Sequence, residues 1–431
     1  MEREIVLYPS NWLYNASVIG FLKVIANEEG ENYVENTILQ NDGTVKLNLD
    51  IFTNKVKLGN KAIPKSIEYL VKFSIKDEIE RIKEIKEKKS QEEKKSQEGE
   101  ESQEEKLKKE KRLKTLQEFL SDLGFDSSKV SDDLENLSEE EKLACKFYFT
   151  GNILFSSKMP YQNLVNLKEW RRLEFSELIL NMFSKEKTNL KCGLCGEYIQ
   201  EINTNNKIEL RLTTFQHPHL TILGPSINEF PNALWNLNSS LRICFLCSYL
   251  IIHNHLAFIH SENNNEIFLN APSFKIMWYL NKFAENIIGE ETKDIRKILG
   301  ISLIDLSQRI SSTIGAWSLM NIEMVIKNKD KINYYSLPYE ISSILLDKEI
   351  ASLIKKTEEP IVLDKILSGD FDYLLNLNDR IIRCLSNWKG ECQDRYLLLS
   401  SKNNAEKLRN LANILPLLYS KISSRKYYKE V

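Results

Sequence analysis

The sequence lacks the marks of the commonest enzyme classes. It has no Gly-x-x-x-x-Gly-Lys-Ser/Thr loop to cradle phosphates, no Gly-x-Ser-x-Gly elbow and no His-Glu-x-x-His pair, which lowers the expectation of an ATPase or a hydrolase. Histidine is scarce, five in 431 residues. There is no excess of one charge. The formal net charge is −2, so a nucleic-acid surface has to be local rather than a property of the whole chain. There is no long apolar run either. The most apolar stretch, Ile243 to Phe258, is broken by His253, Asn254 and His255 and falls short of a membrane span. The opening Met1-Glu2-Arg3-Glu4 has neither the basic region nor the apolar run of a signal peptide. The seven cysteines are odd in number and give no even framework, which fits a reducing cytoplasm better than a secreted disulfide scaffold. Cys145, Cys384 and Cys392 read as buried or incidental thiols. What is present, 42% hydrophobic and 28% charged residues, is the composition of a globular protein of two to four domains.

The other four cysteines stand in two pairs, Cys192-Gly193-Leu194-Cys195 and Cys244-Phe245-Leu246-Cys247. Each Cys-x-x-Cys can set two thiolates on one side of a tight turn. Two such turns facing each other make a tetrahedral four-sulfur site suited to Zn²⁺. Four thiolates leave no open position, so the expected metal is structural, and a redox role would need only one pair. Residues 196–243 are looped out between the knuckles. That is more than a minimal zinc ribbon needs, so they must carry structure of their own.

The chain reads as α+β: a mixed N-terminal domain with the embedded zinc module, then a C-terminal helical bundle. Residues 1–76 open the N-terminal domain. Trp12, Val18, Ile19, Leu22 and Ile25 recur at helical spacing, with Ser10 or Asn11 as cap. Gly20 within that helix points to close packing against another backbone. Tyr33 to Phe52 alternates in places (Val45, Leu47, Leu49 and Ile51), which reads as strands with a turn at Asn41-Asp42-Gly43. Residues 77–114 are Lys, Glu, Gln and Ser with Ser-Gln-Glu recurring at 90, 96 and 102, and acidic and basic residues balance. Such a stretch buries no core and reads as a charged insertion. Residues 115–271 complete the N-terminal domain. They include a helix stopped by Gly124, a second opening at Ser138-Glu139-Glu140-Glu141, and a third over Leu164 to Phe183. The alternation of Ile208, Leu210 and Leu212 reads as a strand. Residues 272–431 show helical spacing over Ile276–Ile288, Ile295–Met324, Tyr339–Ile354, Ile361–Leu385 and Ala405–Ile422.

Candidate nucleic-acid contacts are few. Residues 223–238 pack Gly224, Pro225, Pro231, Phe230, Trp235 and the asparagines Asn228, Asn232, Asn236 and Asn238 into one loop. Asparagine amides can pair with adenine edges, and aromatics can stack on or wedge between bases. The same residues also make an ordinary turn-rich loop. Trp170-Arg171-Arg172 can meet a phosphate or form a solvated helix edge. Lys407 and Arg409 belong to a scatter of C-terminal cations (Lys327, Lys402, Lys421 and Arg425 among them) that could track a single strand. His217, His219, His253 and His255 are spare zinc ligands in principle. With four cysteines available, local hydrogen bonds are expected of them instead.

The order of parts resembles one family. An opening Asn11-Trp12-Leu13-Tyr14-Asn15-Ala16 with Gly20-Phe21 is followed by a Cys-x-x-Cys, a long gap, a second Cys-x-x-Cys and a helical C-terminus. This is similar to the CXXC–CXXC large subunit of type I CRISPR interference complexes (Cascade), of the I-A/I-B kind. The resemblance covers nearly the whole chain except 77–114. It implies a non-enzymatic, cytoplasmic subunit. Such a subunit partners guide RNA, Cascade backbone subunits, target double-stranded DNA and a helicase-nuclease, with a possible separately made small subunit and no membrane. In that family the large subunit recognises the protospacer-adjacent motif and helps open the duplex. The alternative from another class is a zinc-stapled nuclease or RNA-processing enzyme, which needs clustered carboxylates around Mg²⁺. Asp305, Asp370, Asp372 and Asp379 show no recognisable pairing in the sequence. A purely structural scaffold is a third possibility.

Overall fold

The computed structural model describes residues 4–73, 114–126, 138–154, 169–213, 241–260, 266–288, 295–309, 322–327, 332–397 and 399–427. The chain is mixed α+β and divides into two compact units, Met1–Ala257 and Phe258–Val431.

The first unit is built round α1 (Trp12–Glu29). Asn11 caps it, its Oδ1 accepting from the Tyr14 amide at 3.0 Å. Every residue from Leu13 to Leu22 is buried, so the helix is an axis with core on all sides rather than an amphipathic lid. The polar groups this buries are satisfied. Asn15 takes the Ser10 amide (2.8 Å) and donates to the Ser10 carbonyl (2.9 Å), and the Ser17 hydroxyl donates to the Leu13 carbonyl (2.6 Å). Strand β1 (Glu4–Leu7) pairs antiparallel with β2 (Val45–Asn48), Leu7 opposite Val45. The strand reading of Tyr33 to Phe52 holds for Val45–Asn48 and is corrected on either side, since Val34–Ile38 is a π-helical turn and Asp50–Thr53, with Ile51, a short helical turn. Strands β3 (Lys55–Leu58) and β4 (Lys61–Pro64) form a hairpin. Residues 65–73 and 114–122 are helical, and the latter run ends before Gly124 as expected. The helix α2 (Glu139–Leu154) opens with the capping box its sequence announces. The Ser138 amide donates to Glu141 Oε2 (2.8 Å) and the Glu141 amide to Ser138 Oγ (3.3 Å). Next comes α3 (Glu169–Asn181), which carries Arg171 and Arg172.

Residues Ile208 to Thr214, read as a strand, are instead α4 (Lys207–Thr213). Its first turn is tied to Asn206, whose carbonyl accepts from the Leu210 amide at 3.0 Å. Among its described side chains Glu209, Leu212 and Thr213 are buried and Leu210 is half-buried, which is helical spacing. Glu209 is buried because it is paired, with Lys185 Nζ at 2.7 Å and the Asn203 amide at 3.0 Å. The unit closes with α5 (Phe245–Ile251) and α6 (Asn254–Ala257), both against α1. Where they join, the His253 carbonyl lies on Gly20. A Cβ at Gly20 would sit 1.9 Å from that oxygen, the close backbone approach the sequence implies.

The second unit has the helical region expected of 272–431, interrupted by two strands, Glu323–Lys327 and Ile332–Ser336. It opens with a four-stranded antiparallel sheet of β7 (Ile259–His260), β8 (Glu266–Asn270), β9 (Glu323–Lys327) and β10 (Ile332–Ser336), in the order β10-β9-β8-β7. Strands β5 (Lys187–Lys191) and β6 (Tyr198–Gln200) belong to the metal centre described below. Helical spacing through Met324 is therefore corrected, because Met324 pairs with Leu269 inside the sheet. Helix α7 (Phe274–Ile288) is tied to β8 by the buried Asn281, which takes the Leu269 amide (2.9 Å) and donates to the Leu269 and Met277 carbonyls (2.8 Å each).

The helical region follows: α8 (Ile295–Arg309), α9 (Tyr339–Leu345), α10 (Lys348–Thr357), α11 (Pro360–Leu367), α12 (Asp372–Ser386) and α13 (Ala405–Tyr427). Cys384 and Cys392 are not incidental thiols but a disulfide, Cα–Cα 5.4 Å. Buried Glu359 anchors the segment that leads into α13. It accepts from the Ser400 amide (2.9 Å), the Ser400 hydroxyl (2.9 Å) and the Ser401 amide (2.8 Å). Replacing Glu359 with Ala leaves those donors unmatched and is expected to lower stability by about 2–3 kcal/mol, read as a fall in the denaturant midpoint. A midpoint within error of the native chain's would remove Glu359 as an anchor.

Candidate metal centre

The first Cys pair sits at the tip of a hairpin formed by β5 (Lys187–Lys191) and β6 (Tyr198–Gln200). The turn is closed by two backbone bonds, the Cys192 amide to the Glu197 carbonyl (2.7 Å) and the Gly196 amide to the Cys192 carbonyl (2.9 Å). Gly196 has φ +76°, a conformation that side chains disfavour. The second pair begins α5. Cys244 is its N-cap, its sulfur accepting from the Cys247 amide at 3.4 Å. Thiolates there face the positive end of the helix. The knuckles are joined by the Gly193 amide to the Arg242 carbonyl (2.8 Å) and by the Cys244 amide to Cys192 Sγ (3.3 Å). The Leu194 amide also points at Cys192 Sγ (3.5 Å).

The four sulfurs lie within 4.8 Å of one another, with Cys195 and Cys244 at 3.8 Å. A zinc tetrahedron with Zn–S near 2.3 Å has edges of about 3.8 Å. The residues therefore fit a metal ion, and the donor set is compatible with structural zinc. Cys192, Cys244 and Cys247 are buried and Cys195 is half-buried. Hydrogen bonding from Cys195, Cys244 and Cys247 holds the Cys192 thiol far below its ordinary value. Cys244 is pushed up, chiefly by its bond to Cys192, and Cys247 chiefly by burial. The sulfurs cannot all ionise together without a cation at their centre. Metal entry displaces protons, so affinity falls as pH falls.

The N-terminal segment closes over the site. The Ser10 hydroxyl donates to the Leu194 carbonyl at 3.0 Å. The buried Tyr14 hydroxyl is pushed well above its ordinary range, by burial first and then by the electrostatics of the nearby Cys247, Cys195, Cys244 and Cys192. Sequence reading missed Ser10 and Tyr14 as partners of the centre. They lie about 180 residues from the first knuckle, and only the fold brings them there.

His253 is the hydrogen-bonded core histidine expected. Its ring lies between Phe21 (5.1 Å) and Tyr249 (4.9 Å), and Nδ1 is 3.2 Å from the Tyr249 and Leu250 carbonyls. Burial pushes its pKa down from 6.5 to about 3. The neutral ring is the folded form, so its stability contribution is complete above pH 6.5 and is lost as pH falls from there towards 3. The His253→Phe variant should lose stability more slowly than the native chain between pH 6 and 4, by about 1.4 kcal/mol per pH unit. Parallel urea titrations at several pH values measure this, and equal slopes would be against it.

The other candidates are not gathered here. Asn228, Asn232, Asn236, His217 and His219 lie outside the described residues. Arg171 and Arg172 are on α3, and their side chains are likewise outside the description. Lys407 and Arg409 are on α13 in the second unit, where Lys407 pairs with Glu358 at 2.9 Å and Arg409 is exposed. Other C-terminal cations are also matched: Lys327 with Glu266 (2.6 Å), Lys421 with Glu349, and Arg425 with Asp347. The four aspartates weighed for Mg²⁺ have separate partners. Asp305 pairs with Lys355 (2.5 Å), Asp370 with Lys365 (2.9 Å) and Asp379 with Arg383 (2.7 Å), while Asp372 accepts from the Tyr419 hydroxyl (3.2 Å). Among the described residues no helix is long and apolar enough to cross a membrane. No family model, no curated protein and no solved structure matches this chain.

Proposed function

We propose that this chain is the non-catalytic large subunit of a CRISPR RNA-guided surveillance complex. In this reading it recognises the protospacer-adjacent motif in duplex DNA, aids strand opening and helps recruit the helicase-nuclease. The supporting observation is the docking of the chain's opening on the paired knuckles, Ser10 on Leu194 and Tyr14 beside the sulfurs. The Trp-containing opening and the two Cys-x-x-Cys pairs are the features specific to the resemblance, and they form one physical assembly. A zinc ion held by four sulfurs has no open position for water or substrate, which suits a subunit that binds rather than reacts. A zinc ion there would offset two of the four thiolate charges and would hold both ends of residues 196–243.

That segment includes 223–238, where Asn228, Asn232 and Asn236 offer amides to base edges and the aromatics offer a wedge. Strand exchange is nearly balanced, so modest protein contacts bias it. Arg171, Arg172 and Arg409 are the phosphate contacts in this reading. Lys407 must first give up Glu358. The partners are guide RNA, Cascade backbone subunits, target duplex and the helicase-nuclease, and the compartment is the cytoplasm.

A tagged chain purified natively from its own cells should bring down backbone subunits and a repeat-derived RNA, identified by mass spectrometry and RNA sequencing. A chain recovered alone and free of RNA overturns the proposal. Replacing Asn228, Asn232 and Asn236 together with Ala should cut discrimination between motif-bearing and motif-free duplex by tenfold or more, at about 1–3 kcal/mol per lost bidentate contact. Unchanged discrimination removes the 223–238 assignment.

A further inference from the structure

We propose that Cys384 and Cys392 form a reversible thiol–disulfide clasp that locks the loop 387–396 to the end of α12, in exchange with a low-molecular-weight disulfide of the glutathione type. The seven cysteines fall into three sets. Four sulfurs face one another in the metal centre. Cys145 is buried and alone, and burial pushes its thiol up to about 11, which leaves it little thiolate for exchange. The remaining two are bonded to each other.

Their positions give the bond mechanical leverage. Cys384 ends the buried stripe of α12 formed by Leu374, Leu377 and Ile381. Among the described residues between Ser386 and α13, none is in a helix or strand. Arg380 on α12 also ties to this loop, lying 3.7 Å from Asp394 and 5.8 Å from the ring centre of Tyr396. Arg380 is 44% exposed and Tyr396 77%, so these contacts hold weakly. The far end of the connection is fixed separately by Glu359 on Ser400 and Ser401. Opening the disulfide therefore frees 387–396 while α13 stays anchored.

The exchange balances. One cysteine thiolate attacks a sulfur of the small disulfide, forming a mixed disulfide and releasing one small thiol. The second cysteine thiolate attacks the protein sulfur of that mixed disulfide, forming the Cys384–Cys392 bond and releasing the second small thiol. Two electrons pass from the chain to the small disulfide, and the two cysteine protons end on the released thiols. A sequence separation of eight residues makes the second step a short-range intramolecular one.

The loop carries its own reporters, because Lys389 and Arg395 are exposed and Lys389 lies between the two cysteines. The full, metal-loaded chain is equilibrated in glutathione buffers of graded thiol-to-disulfide ratio. One portion is acid-quenched, alkylated and mapped by mass spectrometry, and another is cut briefly with trypsin. The linked peptide should appear and disappear reversibly with the ratio. Cleavage after Lys389 and Arg395 should rise about tenfold or more on reduction, since proteolysis follows the population of the open loop. Cleavage after Lys389 in the oxidised chain should leave fragments that separate only on reduction. The Cys392→Ala variant should cut at the reduced rate in every buffer. Cysteines that stay alkylatable at every ratio, a bond that no buffer reduces, or a cleavage rate indifferent to the bond would each overturn the clasp.

Discussion

Replacing Cys247 with Ser is expected to strip the bound metal and to unfold much of the first unit. Cys247 is 1% exposed, on the first turn of α5 and within 4.8 Å of the other three sulfurs. A serine hydroxyl does not ionise to ligate a soft site. The three remaining thiols are then crowded in a buried space with no cation to balance their charge. Metal binding at a structural four-ligand site supplies about 10–16 kcal/mol of apparent free energy, more than the whole stability of an average domain. The damage should spread to α1, because Ser10 and Tyr14 connect that fully buried helix to the knuckles. The expected result is loss of stoichiometric metal by elemental analysis and a fall in Tm of about 10 °C or more, reproduced in the native chain by a strong chelator. A Cys247→Ser chain that keeps its metal and melts with the native one would contradict the assignment.

The second large effect is Gly20→Ala. On an exposed helix this change is stabilising by about 1 kcal/mol, because Ala is the better helix former. Here the sign should reverse. The new Cβ would lie 1.9 Å from the His253 carbonyl oxygen and 2.8 Å from its carbon. These are backbone atoms that cannot rotate aside. Helix α1 would have to withdraw from the α5–α6 junction, disturbing the contacts of Phe21 with Tyr249 and His253. Overpacking of this kind costs about 3 kcal/mol or more. Equilibrium unfolding in urea checks it, and a variant as stable as the native chain would mean that the two backbones do not meet at Gly20.

Local chemistry made much of the first unit legible. Asn11 as cap, Gly20 as close approach, the Ser138–Glu141 box and the paired knuckles are decided within a few residues or by one steric demand, so they could be read before any fold was known. The second unit's sheet was hidden for a definable reason. Ile267–Asn270 and Met324–Ile326 are buried residue after residue, so β8 and β9 offer no alternation, and short apolar runs of this kind resemble helix segments. The short α4 misled in the opposite way. Its alternating Ile208, Leu210 and Leu212 suit a strand, yet Asn206 starts a helix and the Lys185 pair lets Glu209 face inward. Tyr14 beside the sulfurs and the Cys384–Cys392 bond are tertiary facts, with no local signal to announce them.

Zinc K-edge X-ray absorption on the natively purified chain tests the central claim most directly. The account predicts one zinc per chain with four sulfur scatterers near 2.3 Å and no nitrogen or oxygen shell. A zinc with an oxygen or nitrogen ligand, or a chain that holds no metal while its four knuckle cysteines remain reduced, would contradict it.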